Sequence, residues 1–262
     1  MKRFVSRNYW LVLLVVVLSS FIIQQQQKPT LFAIGDSTVK NGKGVGDGGL
    51  WGWADFIKPY FDTDKINIEN HAMGGTSSRT FQTQGLWDKV LAKVKAGDYV
   101  IMQFGHNDSS PLNDSSRARG TMKGTGDDST VIMNLLTKKE ETVHTYGWYM
   151  RKFIADVKAK GATPIICSPI PRNDWKNGKV IRNGGNNYGG WCADIAKQTG
   201  IAFIDLNTIT ADKYDAMGQE KVAPLFPKEH THTGKEGAEI NAASVITGLK
   251  GLSNCSLIAF IK

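Results

Sequence analysis

From Thr30 onward, short apolar runs alternate with segments whose apolar positions recur every three or four residues. The runs "TLFAIG" (30–35), "KINIENHAM" (65–73), "DYVIMQFG" (98–105), "ATPIICSPIP" (162–171) and "IAFIDLN" (201–207) read as five strands. Between them, "GWADFIKPYF" (52–61), "LWDKVLAKV" (86–94), "KEETVHTYGWYMRKFIADVKAKG" (139–161), "YGGWCADIAKQTG" (188–200) and "GKEGAEINAASVITGL" (234–249) have helical spacing. Gly161 and Gly200 close two of these helices. Continuously apolar strands separated by helices call for a parallel sheet covered on both faces, an α/β fold. Right-handed crossovers then bring the C-terminal ends of the strands to one edge. The polar stretch "NDSSPLNDSSRARGTMKGTGDDST" (107–130) is too long for a simple connection, and such loops are usually functional or mobile.

The first 23 residues follow a different pattern. Lys2, Arg3 and Arg7 precede "YWLVLLVVVLSSFII", an uncharged run from Tyr9 to Ile23 that is short for a spanning helix. A basic start and a short apolar stretch predict an export signal or an uncleaved N-terminal anchor, so the protein is expected to be periplasmic or extracellular. Residues 24–29 read as a polar linker, and residues 30–262 as one domain. The whole chain carries a net charge of +8, and setting those three basic residues aside leaves +5, spread along the sequence. That balance is compatible with a polyanionic substrate, although it also describes an ordinary solvated surface. No nucleic-acid motif is present, and no membrane contact is expected beyond the N-terminal segment. Cys167, Cys192 and Cys255 match no zinc spacing; the first two sit in apolar segments as core residues, and one bridge after export stays open.

The polar residues that follow the strands are the candidate chemistry. Ser37 follows the first strand; Gly74, Gly75 and Arg79 follow the second; His106, Asn107 and Asp108 the third; Arg172 the fourth. Glu229, His230 and His232 precede the last helix. Acyl transfer needs a nucleophile, a base, a group that orients the base, and donors for a developing oxyanion. Ser37 fits the first role and His232 the second, with Glu229 three residues away to hold the imidazole. The Ser37 N–H, a glycine N–H from the second loop and the Asn107 amide are the candidate donors. Arg79 and Arg172 are candidates for a substrate carboxylate, with loop-stabilising surface arginines as the plainer alternative. Trp51, Trp53 and Trp175 stand near loops; stacking on sugars and core packing are both open, with packing expected of at least two. His230 reads as a loop residue. "HTH" without a cysteine partner is a poor metal pattern, "GDSTV" lacks the second glycine of a G-x-S-x-G elbow, and "GKGVGDGG" lacks the P-loop ending.

"GDST", the "GG" before "TSSRTF", "GHND" and "HTHTG" together resemble the four blocks of the SGNH (GDSL) hydrolases. The runs "YVIMQFGHNDSSPLND", "HTYGWYMRKFIADVKAKGATPIICSPIPR" and "FIDLN" most resemble bacterial rhamnogalacturonan acetylesterases, carbohydrate esterase family twelve; the likeness runs from about Leu31 to Leu252. The resemblance implies a flavodoxin-like three-layer α/β/α sandwich with a five-stranded parallel sheet. It implies Ser37 as nucleophile, His232 as base, Gly75 and Asn107 as oxyanion donors, no metal and no cofactor. It implies removal of acetyl groups from pectic rhamnogalacturonan, acetylated polymer or oligosaccharide being the partner. In one position the chain departs from that pattern: the family's aspartate three residues before the histidine is Glu229 here. That departure leaves a weakened or non-catalytic glycan-binding homologue open; separately, the same site could serve an acetylesterase on another polysaccharide such as xylan.

Overall fold

The computed structural model describes residues 28–185 and 187–262, so the expected leader and most of the linker lie outside the described residues. In chain order the strands are β1 (Thr30–Gly35), β2 (Asn67–Asn70), β3 (Tyr99–Gln103), β4 (Ser129–Met133), β5 (Glu140–His144), β6 (Thr163–Cys167), β7 (Trp175–Lys176), β8 (Lys179–Val180) and β9 (Ala202–Ile204). The α-helices are α1 (Ser78–Thr83), α2 (Leu86–Leu91), α3 (Tyr146–Ala159), α4 (Tyr188–Thr199), α5 (Leu206–Met217), α6 (Gln219–Val222) and α7 (Lys235–Lys250). β1 is buried at every position. Its odd residues Leu31 and Ala33 pack with Trp53, Phe61, Val245 and Leu249 on one face. Phe32 and Ile34 pack with Phe81, Trp87, Met150 and Phe153 on the other. Apolar residues at consecutive positions are what a strand covered on both sides requires.

The five strands predicted from the sequence form one parallel sheet in the order β2-β1-β3-β6-β9. Helices lie on both faces, which gives the expected three layers. The chain runs outward from β1 to β2, then crosses back past β1 to β3. That reversal opens a crevice at the C-terminal ends of β1 and β3, where open α/β sheets hold their ligands.

Several local expectations are corrected. Residues 52–61 form two short 3-10 turns, Trp53–Asp55 and Lys58–Tyr60, because Pro59 has no N–H for a continuous helix. The segment 139–161 is not one helix: residues 140–144 pair antiparallel with β4, drawn by the β-branched Thr142 and Val143. α3 starts only after Thr145, whose hydroxyl accepts from the Trp148 N–H as an N-cap. The expected strand 201–207 ends early at Ile204, and α5 follows it, its start capped by Asp205 accepting from the Thr208 N–H. All three cysteines are free buried thiols.

β1 ends at Gly35, and that residue sets how the chain turns toward Ser37. A Cβ there would lie 2.4 Å from Val39 Cγ2 and 2.5 Å from the Gln103 carbonyl oxygen. Gly35→Ala is expected to lower stability by about 1–3 kcal/mol, seen as a lower urea midpoint at unchanged m. A wild-type midpoint would contradict this packing.

Candidate active site

The turn after β1 is locked from inside. Asp36 Oδ1 accepts from the Thr38 N–H at 2.9 Å and from the Thr38 hydroxyl at 2.7 Å. Gln103, at the end of β3, donates its amide to Thr38 Oγ1 at 2.6 Å and accepts from the Trp53 indole at 3.0 Å. Asp36, Thr38, Gln103 and Trp53 are all buried. The bonds that form the turn are therefore made by Asp36 and Thr38. Ser37, between them, is left half-buried and turned to the crevice.

His232 reaches Ser37 across 195 residues: Nε2 lies 2.7 Å from Ser37 Oγ. Its Nδ1 lies 2.6 Å from Glu229 Oε1, which also accepts from the His232 N–H at 2.7 Å. Glu229 Oε2 accepts from the Thr231 N–H at 2.9 Å. The carboxylate thus caps the tight turn and faces the ring at once, so the extra methylene of glutamate is taken up. Burial works against ionisation of Glu229, but the His232 and Thr231 N–H groups and the His232 ring outweigh it and hold its carboxyl below the usual range. An ionised Glu229 keeps the hydrogen on Nδ1 and leaves Nε2 free to accept from the Ser37 hydroxyl.

Two tethers hold this loop. Trp51 donates its N–H to the Thr233 carbonyl at 2.9 Å, and Thr233 Oγ1 donates to the Trp51 carbonyl at 3.2 Å. His230 pairs with Asp174 at 2.7 Å, and the Asn173 N–H donates to the His230 carbonyl at 2.7 Å. His230 is therefore a brace between two loops. Trp53 is core, as the packing alternative holds; Trp51 packs against Phe56 with the rings tilted and their centroids 5.1 Å apart. Trp175 packs beside the small cluster around Tyr214 and donates its indole N–H to Asn173.

The loops after β2 and β3 are joined to each other. Asn107 Nδ2 donates to the Thr76 carbonyl at 2.8 Å, and the Ser78 N–H donates to Asp108 Oδ1 at 3.1 Å. Burial pushes Asp108 up to about 7 against the Ser78 donors. Burial likewise pushes His106 down to about 4, which keeps that imidazole neutral and out of reach of a cationic role. Gly75 adopts φ +82°, a conformation open to glycine, whereas Gly74 does not have a positive φ. Among the described residues, no protein acceptor takes the N–H of Ser37 or Gly75. Ser37, Gly75, Asn107 and His232 all line one cleft of about 740 Å³. It contains an alcohol, an imidazole and donors suited to a tetrahedral oxyanion.

Neither arginine chosen from the sequence lines this cleft. Arg79 is 0% exposed. It donates through Nε and Nη2 to the two oxygens of Glu141, both at 2.8 Å, and through Nη1 to the carbonyls of Leu112 and Gly120 at 2.7 and 2.8 Å. A substrate carboxylate has no access to it; α1 begins just before it and carries it inward. Arg172 lies along a separate cavity of about 30 Å³ with His106 and Tyr188. The cleft instead carries Arg117 and Arg119, from the "SRARG" part of the long polar loop. Two basic residues in a loop too long for a connection were the available signal.

The profile of the GDSL-like lipase/acylhydrolase family matches residues 33–240. A rhamnogalacturonan acetylesterase of Emericella nidulans is 30% identical over 213 residues, 81% of either chain. A probable rhamnogalacturonan acetylesterase of Bacillus subtilis is 28% identical over 231 residues, 85% of this chain and 93% of that one. Among solved structures, the YxiM protein of Bacillus subtilis superposes with a TM-score of 0.70 at 24% identity, covering 87% of this chain and 58% of that one. An acetylxylan esterase of Geobacillus stearothermophilus shares the fold with a TM-score of 0.57 at 17% identity, covering 87% of this chain and 97% of that one.

Three substitutions test the geometry. Glu229→Gln is expected to lower kcat on a chromogenic acetate ester by on the order of 100- to 10,000-fold with little change in KM. Glu229→Asp is expected to lose about tenfold or more, since this turn is built around the longer acid; wild-type kcat in Glu229→Gln would contradict the arrangement. Arg79→Met strands the largely buried Glu141 and is expected to cost about 2–4 kcal/mol in denaturant unfolding. An unchanged midpoint would contradict the structural role of Arg79.

Proposed function

The chain belongs to the GDSL-like lipase/acylhydrolase family, a family of carboxylic ester hydrolases, and on that premise we propose that it removes acetyl groups from pectic rhamnogalacturonan through an acetyl-serine intermediate. The observation that carries the proposal is the continuous relay from Ser37 through His232 to Glu229, with contacts of 2.7 and 2.6 Å. The substrate assignment is supported by relatives named as rhamnogalacturonan acetylesterases along most of their length. The N-terminal pattern of basic and apolar residues supports export, in keeping with a substrate too large to enter a cell.

In this reading Ser37 Oγ attacks the acetyl carbonyl carbon while its proton passes to His232 Nε2. The carbonyl oxygen becomes an oxyanion held by the Ser37 N–H, the Gly75 N–H and the second amide hydrogen of Asn107. Each such donor is worth about 3–4 kcal/mol of barrier. Collapse breaks the bond to the sugar oxygen, which leaves with the proton from His232. Water then gives a proton to His232 and attacks the acetyl-serine. A second collapse releases acetic acid, and His232 returns the proton to Ser37. Glu229 stays ionised throughout and stabilises the imidazolium each time it forms. The short contact between Glu229 and His232 supports an active enzyme over a weakened homologue.

Acetate release from acetylated rhamnogalacturonan tests this directly. Wild type is expected to release acetate, and Ser37→Ala to release it more than about 1,000-fold more slowly. Unimpaired release by Ser37→Ala would end the serine mechanism. Release from acetylated xylan alone would move the substrate to a neutral polysaccharide.

A further inference from the structure

The charged side chains that line the cleft are of one sign. Of the residues that line it, Arg117 and Arg119 carry full charges and no carboxylate does. Among the described residues neither arginine forms an ion pair with an acid. This contrasts with the buried Arg79, which has a carboxylate against it on two nitrogens. Arg119 is half-buried. Burial and the neighbouring positive charge of Arg117 work against its cation and prevail over the favourable fields of Asp36, Asp108 and Asp114, none of which is ion-paired with it. Taking a guanidinium partly out of water, beside another one, is costly unless an anion joins them.

The loop is built to hold Arg119 in this place. Asp114 accepts from the backbone N–H groups of Ser116, Arg117 and Ala118 and from the Ser116 hydroxyl, which folds the segment into a tight turn. Ala118, buried, takes φ +42°, a conformation that non-glycine residues avoid. Strain of this kind persists only where the surroundings enforce it. Here Arg79 does so from below, through the Leu112 and Gly120 carbonyls. Arg119 itself donates through Nε to Ser110 Oγ at 3.1 Å and through Nη1 to the Gly75 carbonyl at 2.9 Å. Its Nη2 has no protein acceptor among the described residues. The free end of a planar fork therefore stands beside Gly75, one of the oxyanion donors.

We infer that Arg119, with Arg117 beside it, recognises the carboxylate of an acidic sugar, so that the enzyme selects acetyl groups carried on or next to uronic acid residues. This rests on the function proposed above and narrows it to a specificity element. A guanidinium pairs with a carboxylate in plane and through two hydrogens, which a neutral sugar hydroxyl does not match. The contact with Gly75 places that pairing within the span of a sugar ring from the ester carbonyl. A neutral xylan chain draws no benefit from either arginine.

The test compares acetylated rhamnogalacturonan oligosaccharides bearing free uronic carboxylates with the same oligosaccharides after methyl esterification. The readout is the ratio of kcat/KM for free acid over methyl ester, which does not depend on how much enzyme is folded. In wild type this ratio is expected to be about 10 to 100, expressed mainly in KM. It is expected to fall to near one in Arg119→Gln, to fall partly in Arg117→Gln, and to recover in part in Arg119→Lys. A wild-type ratio near one, or a ratio unchanged in Arg119→Gln, overturns the inference. If acetate is still released from both substrates in those cases, the proposed function stands. Equal losses of Arg119→Gln on both substrates at a preserved ratio also overturn it, leaving Arg119 as a brace for Gly75. No acetate from either oligosaccharide overturns both readings together.

Discussion

The hydrogen bond between Ser37 and His232 joins two ends of a chain 195 residues apart, and most of the surrounding structure serves to keep it short. A hydroxyl at the end of β1 and an imidazole just before α7 meet because a parallel sheet delivers its strand ends to a single edge. The strand order then opens a crevice there, between β1 and β3. On the serine side, the buried set of Asp36, Thr38, Gln103 and Trp53 fixes the turn. On the histidine side, Trp51 and Thr233 pin the loop to the segment that follows the glycine-rich stretch. These locks are made during folding, so the geometry is already present when a substrate arrives. Preorganisation of that kind is the main means by which donors aimed at an oxyanion lower a barrier.

The arginines show how environment divides one residue type into different tasks. Arg79 is enclosed and satisfied by Glu141 and two carbonyls, and its work is to hold the 110–120 loop. Arg119, which that loop carries, stands on the cleft wall without an ion-paired acid among the described residues. A buried cation with its partners supplied by the protein is architecture. A half-buried cation without an acid partner has its free energy lowered most by an incoming anion. The support is layered: the inner arginine orders the loop, and the loop positions the outer one beside Gly75.

Much of this was legible from the order of residues. Apolar stretches at regular intervals marked the five strands, and the requirement for a covered parallel sheet followed. Ser37, Gly75, Asn107 and His232 come together in one cleft because strand ends share an edge, with Glu229 behind His232. What the sequence left hidden has physical causes. Pro59 interrupts a helical apolar spacing that by itself looks continuous. Residues 140–144 are drawn into a hairpin by a partner strand whose own pattern was masked within a polar loop. Arg79 reads as a surface cation until Glu141, 62 residues away, is seen against it. Arg119 acquires its place from an aspartate turn and a backbone contact, neither of which has a periodic signature. Pairings between distant polar side chains are set by tertiary packing, and periodicity does not report them.

The most direct measurement of the central claim is a crystal structure of the enzyme after reaction with a methylphosphonate ester, a tetrahedral mimic of the acyl-transfer intermediate. Phosphorus is expected to be bonded to Ser37 Oγ, with its free oxygen within hydrogen-bonding distance of the Ser37 N–H, the Gly75 N–H and Asn107 Nδ2. His232 Nε2 should face the departing group. Phosphorus on any other side chain, or an oxygen turned away from those three donors, would contradict it.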